Sequence, residues 1–499
     1  MKRIVFTISL FLSFLGVYGQ NFYWDESIFC GTGILPISDM PTRIRQLLLD
    51  EEGRVTCVGL KTGDTDQGCY LERRLPNGRL DKSFGMNGRT FVSLAISGSY
   101  GDGWATVRPD GKILMNVNFQ SVATPTQQAV VLCFNTNGLL DQTFGDDGTI
   151  ELDFGGFSIP VFTTPSDDYF LRVKSSTPQL IFKHKNDGAL DDNFGEGGQV
   201  SFPNFTFRKY GTILSMEDGS LLCGGSGLRV MGDNPAVVEF GIMKLNADGT
   251  LCSDFGENGA ASFDFAEDPV YVTDYASYDC CMHLIELEDG SIVASGTVAG
   301  RTHNVLLRLH ANGTLDTEFG DNGSVLYEYC EQHDMQIDTK NGDIIICGTP
   351  GDPFQTTEYS YFITRFDKDG AILFFEGVTK RAESMPGCMA LRPDGRIWLG
   401  GSMDGNAVLG RITFDDNFGP AEDDCIGIDK PAVENMNVYA RENVIVVTGI
   451  ARDEVITVYN AAGMLVATVV ADEKETVIPV SDKGVYIVRT SGKTTKIVL

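Results

Sequence analysis

Five places along the 499-residue chain set acids, cations or aromatic rings just ahead of a short apolar strand: Arg43 and Arg45, Asp102 and Trp104, Arg208 and Tyr210, Asp279 and His283, and Glu331 and His333. Rings and charges grouped this way suit the gripping of a sugar or a peptide. Asp102, Trp104, Tyr210, Asp279 and His333 are the candidate binding residues. Trp104 leads them because only 3 Trp occur and this one follows a Gly-Asp-Gly. The plainer reading of any one of them is a solvated channel lining or, for Trp104, a ring packed at a strand start. Reaction chemistry finds less support. The five histidines, His184, His283, His303, His310 and His333, form no closely spaced pair, which argues against zinc catalysis. No nucleophile elbow, phosphate loop or dinucleotide fingerprint occurs. With 68 acids, two-carboxylate glycoside cleavage stays open, since separation in space decides it. The sequence therefore assigns no catalytic residue, no metal and no cofactor.

Bulk properties narrow the partners. A net charge of -29 repels phosphate backbones, so nucleic acid is excluded as a partner. The start, "MKRIVFTISLFLSFLGVYG", has a basic head, a short apolar run and small residues before a cut, which predicts a signal peptide over residues 1–19 and a mature chain from Gln20. No later apolar run is long enough for a membrane helix, so the mature protein is expected to be secreted or held at the cell surface. The 12 cysteines are thinly spread. Cys57, Cys223 and Cys347 recur in one strand position and read as small buried hydrophobes. Cys280, Cys281, Cys330 and Cys388 are the better candidates for disulfides in an exported chain.

The elements that position these residues come from a repeat. "PNGRLDKSFGMNG", "TNGLLDQTFGDDG", "NDGALDDNFGEGG", "NADGTLCSDFGENG" and "HANGTLDTEFGDNG" share a turn, an apolar-polar pair, Phe-Gly and a final Gly. Worn copies stand at Phe29, Phe375 and Phe418, giving seven intervals. A second marker, a turn followed by a short apolar strand as in "RPDGKILMN" and "MEDGSLLCGG", also occurs seven times. Between Gly88 and Phe144 four strands can be placed, "RTFVSL", "GWATV", "KILMNV" and "AVVLCF", with Asp-Gly and Asn-Gly turns suited to hairpins. A four-stranded sheet has two apolar faces, and radial stacking covers both. The expected fold is all-β, a seven-bladed β-propeller over residues 20–419. The repeated Phe is expected to wedge between blades and the repeated Asp to accept from turn amides. A calcium role for the turn acids is the weaker reading, because each turn offers only one or two carboxylates and one reads "FGMNG".

The five clear copies resemble the delta-60 repeat of bacterial surface and secreted proteins, over about residues 23–420. The resemblance implies a propeller-like architecture and brings no catalytic residues. After a linker at 420–435, seven short strands in residues 436–499 predict a small C-terminal β-sandwich. Its "VYNAAGMLV" and closing "DKGVYIVRTSGKTTKIVL" resemble the C-terminal sorting domains of Bacteroidota proteins exported by type IX secretion, although the usual Pro-Asn-Pro is replaced by "NVYARENVIVV". That resemblance implies the secretion machinery as a partner. Two functions follow: an exported binding or scaffold module for a glycan or protein ligand, or a polysaccharide-active glycosidase or lyase with carboxylates at the channel mouth. Facing carboxylates beside an aromatic ring would favour the enzyme.

Overall fold

The computed structural model describes residues 23–25, 27–29, 34–37, 43–61, 67–94, 98–121, 127–153, 158–163, 169–174, 179–187, 189–202, 204–206, 211–229, 237–265, 279–298, 303–328, 330–350, 359–379, 385–403, 406–414, 437–441, 444–448, 455–460, 465–471, 475–480, 483–490 and 494–498. The chain divides into two compact units, Met1–Asp424 and Cys425–Leu499. Both are all-β among the described residues, and no described helix is long and apolar enough to cross a membrane.

The first unit contains, among the described residues, seven antiparallel sheets of four or five strands. The first sheet is Ile44–Leu49, Val55–Lys61, Gly68–Arg74 and Arg89–Ser93; the second is Gly98–Val107, Ile113–Ser121, Gln127–Phe134 and Thr149–Asp153. The remaining sheets open with Ser158–Thr163, with Phe205–Thr206 and Thr212–Ser215 together, and with Cys280–Glu286, Cys330–Ile337 and Met385–Leu391. Each opening strand packs on the opening strand of the next sheet, and Met385–Leu391 packs on Ile44–Leu49. The sheets are therefore the blades of a β-propeller. The apolar cores lie between blades: one joins Val58 and Leu71 of the first to Met115 and Leu132 of the second, and another joins Leu222 and Phe240 of the fourth to Ala294 and Leu307 of the fifth.

One sequence expectation is corrected by one strand. Arg89–Ser93, the "RTFVS" stretch, does not open the second sheet; it pairs with Gly68–Arg74 as the outermost strand of the first. The Phe-Gly motif is the connection between the third and fourth strands, and the sequence repeat runs one strand out of phase with the blade. That phase shift leaves the seventh sheet short of an outer strand. Tyr23–Trp24 and Ile34–Ile37, from the start of the chain, supply it by pairing with Asn406–Thr413.

The five repeated Phe side chains, Phe84, Phe144, Phe194, Phe255 and Phe319, are all buried. The local reason is visible in the backbone. Phe84 N–H donates to Asp81 O (3.0 Å), Gly88 N–H returns to Phe84 O (2.7 Å), and Gly85 N–H reaches the Asn137 carbonyl in the next blade (2.6 Å). Gly195, Gly256 and Gly320 make the same inter-blade bond to Asp248, Asn312 and Asp369. The ring then lies on the turn glycine of that next blade. A Cβ on Gly138 would stand 2.5 Å from the Phe84 ring, and one on Gly313 would stand 2.9 Å from Phe255. Those turns therefore need Gly both for their positive φ and for the ring. The worn copy at Phe375 differs. With no Leu-Asp-x-x-Phe-Gly loop, it runs straight into the strand Ile372–Thr379, where Phe375 stacks on Phe362 at 4.8 Å. Phe418 lies outside the described residues.

The cysteines expected to be buried hydrophobes, Cys57, Cys223 and Cys347, are buried. The disulfide expectation is not met at Cys281 and Cys388. Both are buried free thiols directed at the carbonyls of His283 and Gly400. They sit beside strand bulges within their own sheets. Cys280 points its sulfur at Cys281 O (3.4 Å), and the side chain of Cys330 lies outside the described residues.

The second unit holds a three-stranded sheet of Asn437–Arg441, Val444–Thr448 and Glu475–Pro479, and a four-stranded sheet of Leu465–Val470, Val455–Asn460, Val485–Arg489 and Thr494–Val498. Alternate residues such as Ile445, Val447, Ile456, Val458, Ile478 and Val488 meet in one shared core.

Truncating a wedge ring should cost stability without changing the fold. Phe319→Ala is expected to lower unfolding free energy by about 3–5 kcal/mol, read by urea denaturation, with exposed Met86→Ala changing it little. Equal, small losses for the two variants would contradict the wedge.

Candidate functional site

The opening strands converge on the propeller axis, and each is broken at the same level. Register shifts fall between Ile44 and Gln46, Tyr100 and Gly103, Ser158 and Val161, Cys281 and His283, Gln332 and Asp334, and Pro386 and Cys388. In the fourth sheet the opening strand is split outright, with Phe205–Thr206 and Thr212–Ser215 pairing separately with Leu221–Arg229. A bulge leaves one residue out of the ladder and re-aims its side chain. The residues that the ladders skip here include Arg45, Asp102, Met282, His333 and Gly387.

The sequence candidates fall around these breaks. Asp102 lies within the bulge of Gly98–Val107, its side chain outside the described set, and Trp104 is half-buried two residues on, opposite Asn116. His333 is the bulged residue of its strand and holds Thr349 Oγ1 at 3.1 Å. Asp279 is fully buried and its carbonyl accepts from Ser226 Oγ of the preceding sheet (2.6 Å), so burial takes it away from solvent. Tyr210, with Arg208, lies outside the described residues.

Polar residues that sequence reasoning passed over tie the opening strands together. Gln46 Oε1 accepts from Ala105 N–H of the next sheet (2.7 Å). Gln336 donates to Met389 O (3.0 Å) and accepts from Leu391 N–H (2.6 Å). Asp334 accepts from Met389 N–H (3.3 Å) and Gln332 takes the Ser295 hydroxyl (2.7 Å). Polar residues alternating with buried apolar ones on these strands were the only signal for them. Burial raises the Asp334 carboxyl to about 7, against the pull of the Met389 amide. Burial lowers His283 to about 4, with His333 adding to the effect, and its Nε2 is buried without a hydrogen bond. His333 is also lowered, by burial first, with Glu331 opposing and Arg43 assisting.

The repeated Asp is committed elsewhere. Asp81 Oδ1 accepts from Ser83 N–H (3.0 Å) and Oγ (2.5 Å), while Oδ2 takes Arg73 Nε (2.8 Å). Burial alone would raise its pKa, yet the Ser83 and Arg73 bonds carry it below the usual value. Arg73 also donates to Thr136 O of the next blade (2.8 Å) and lies 4.5 Å over the Phe84 ring. Arg308 repeats this with Asp316 (2.6 Å), Lys368 O (2.8 Å) and Phe319 (4.9 Å). Among the described residues no group of three or more His, Cys, Asp or Glu is placed to hold a metal ion.

A family model described as a domain of unknown function (DUF5122) beta-propeller matches residues 108–144 and 287–319, which include the Phe-Gly turns of the second and fifth sheets up to Phe144 and Phe319. The chain is a β-propeller protein. Its fold is similar to the WD40 beta propeller domain of Doa1 (13% identity, 77% of this chain and 96% of that one, TM-score 0.40). It is also similar to Drosophila Semaphorin 2a (8%, 93% and 97%, TM-score 0.43). A third likeness is to PorZ, described as an essential bacterial surface component of the type-IX secretion system of Porphyromonas gingivalis (11%, 92% and 68%, TM-score 0.29). No curated protein matches the sequence.

The buried acid and imidazoles have opposite pH signatures. Asp334, raised above the unfolded value of about 4, removes stability as pH climbs from about 4 to 7. His283, lowered from about 6.5, adds stability as pH climbs through about 4 to 6.5. Asp334→Asn should therefore expose a stability curve that rises across pH 4–6.5, by at most about 1.4 kcal/mol per pH unit for each histidine, whereas the parent chain is flatter. Identical pH curves for parent and variant would show that Asp334 does not titrate in this window.

Proposed function

We propose that residues 20–419 form a closed ring of seven blades that works as an exported binding or scaffold module, with a glycan or a protein segment as ligand at the axial face. The single supporting observation is the coincidence of strand breaks. Six opening strands bulge and the remaining one splits at the same level, which puts Arg45, Asp102 and His333 out of the ladders on a platform otherwise tied by Gln46, Gln332 and Gln336. A rigid frame with a few re-aimed polar side chains and a half-buried Trp104 is suited to recognition, because little ordering is left to do on binding. The packing of Met385–Leu391 on Ile44–Leu49 and the pairing of the N-terminal strands with Asn406–Thr413 support ring closure.

Residues 436–499 are proposed as a small β-sandwich for export or attachment, and residues 1–19 as the signal that starts that route. The one shared core between its two sheets supports independent folding.

Glycan-array and peptide-pulldown screening of the chain from Gln20 should return a ligand whose affinity drops at least about tenfold in Trp104→Ala or His333→Ala, the scale of one lost contact of 1.4 kcal/mol. A ligand indifferent to both substitutions would place recognition elsewhere. For the terminal module, truncation after Asn435 in the native cell type should leave a folded propeller in the periplasm. Normal appearance of the truncated chain at the surface or in the medium would end the sorting role.

A further inference from the structure

The seam between the seventh and first blades carries the latch seen at Arg73 and Arg308, built here from two distant parts of the chain. Arg411 Nε donates to Asp25 Oδ2 (2.6 Å), Nη2 to Ser27 Oγ (3.1 Å) and Nη1 to Pro76 O of the first blade (2.6 Å). Asp25 Oδ1 accepts from Ser27 N–H (3.0 Å) and Oγ (2.5 Å), as Asp81 does from Ser83. Asp25 N–H bonds Arg411 O (2.8 Å), as Asp81 N–H bonds Arg73 O (2.9 Å). Ile28 occupies the backbone place of the repeated Phe. Phe29, at φ 54, takes that of the following Gly, and its ring lies on Gly78 where Phe84 lies on Gly138. Arg411 and Asp25 are both fully buried.

In Arg73–Asp81 and Arg308–Asp316 the cation and its acid sit 8 residues apart on one hairpin, so the pair cannot pass between molecules without unravelling the blade. Here they are 386 residues apart. The segment that brings Asp25 is bound through its strand pairing with Asn406–Thr413 and this latch, and residues 38–43 alone join it to the strand that begins at Ile44. Resting on the ring closure proposed above, we propose that the outer edge of Asn406–Thr413, with Arg411 at its end, is a strand-binding site that accepts the N-terminal segment of a second copy of this chain, giving a reciprocally exchanged dimer. The second copy offers the identical strand, the identical Asp25 and Ser27, and the same ring for Gly78, so every contact made within one chain is reproduced between two. Within one chain the short connection keeps the effective concentration high, and the monomer prevails until its own latch fails.

Two full-chain variants test this by complementation. Asp25→Ala and Arg411→Ala, each alone, should be monomeric and melt about 5–10 °C below the parent, because Asp25→Ala takes the carboxylate from the buried Arg411 and Arg411→Ala leaves Asp25 only the longer contact to Arg396 (3.3 Å). Mixed in equal amounts at about 100 μM, roughly tenfold below the millimolar effective concentration of a short tether, the intact Asp25 of one meets the intact Arg411 of the other, and exchange is favoured because the latch within each variant is broken. Light scattering should then report a one-to-one dimer, and calorimetry should regain a transition at the parent temperature. A mixture that stays monomeric with both low transitions overturns exchange and leaves closure standing; single variants that melt with the parent overturn closure itself. If either Ala variant fails to fold, the pair Asp25→Asn and Arg411→Lys is mixed in the same way. A labelled peptide of residues 20–37 is also offered to full-chain Asp25→Asn. It is expected to bind, and at least about tenfold more weakly when the peptide carries D25N, a loss of 1.4 kcal/mol; equal binding overturns the proposal.

Discussion

A guanidinium held by a carboxylate against an aromatic ring, with a further N–H on the carbonyl of the neighbouring turn, is the joint on which this propeller depends. Arg73, Arg308 and Arg411 each pair with an acid on their own sheet and a carbonyl on the next, so the cation is fully satisfied only where both blades are in place. An ion pair of this kind is costly to half-break, because the orphaned charge stays in a dry site. The Phe supplies apolar burial and the turn Gly makes room for it, while the following Gly N–H adds an inter-blade bond. Blade stacking is thereby specified by a polar geometry as well as by area, which apolar contact alone would leave free to slide.

Variation among the copies shows what the joint tolerates. In the second blade Cys133 stands where Arg73 stands in the first, and Lys112 from the neighbouring strand reaches Asp141 instead (2.9 Å), holding that carboxyl down at about 2. In the fourth, Cys252 replaces the acid opposite Lys244, yet Phe255 is still buried and Gly256 still bonds Asn312. In the seventh the acid comes from Asp25. The seventh sheet thus reuses the same joint, with the chain's first strand pairing on Asn406–Thr413 as its outer strand.

The repeat made the all-β architecture and the wedge positions legible, because Phe-Gly and Asp-Gly mark turns whose φ values few other residues accept. Blade boundaries were not legible. The motif is the last hairpin of a blade, and four evenly spaced strands look alike in whichever phase they are grouped. The latch itself was written in the sequence as a cation eight residues before the repeated Asp, at Arg73, Lys183 and Arg308, and eight residues after Arg411 stands Gly419. At the axial face, composition pointed to the strand starts where the bulges lie, yet it could not separate Asp279, buried against Ser226, from His333, freed by its bulge. Register decides that.

The most direct measurement of this account is a pair of double-mutant cycles in the full chain, Asp25 with Arg411 and Asp316 with Arg308, each residue taken to Ala and unfolding followed in urea. If the closing seam is one more copy of the joint, both cycles should return coupling of about 2 kcal/mol or more, at the upper part of the range for contacting residues, and each double variant should be little worse than its singles. Strong coupling for Asp316 with Arg308 and none for Asp25 with Arg411 would contradict it, leaving the N-terminal strand as an appendage on a ring closed by other means.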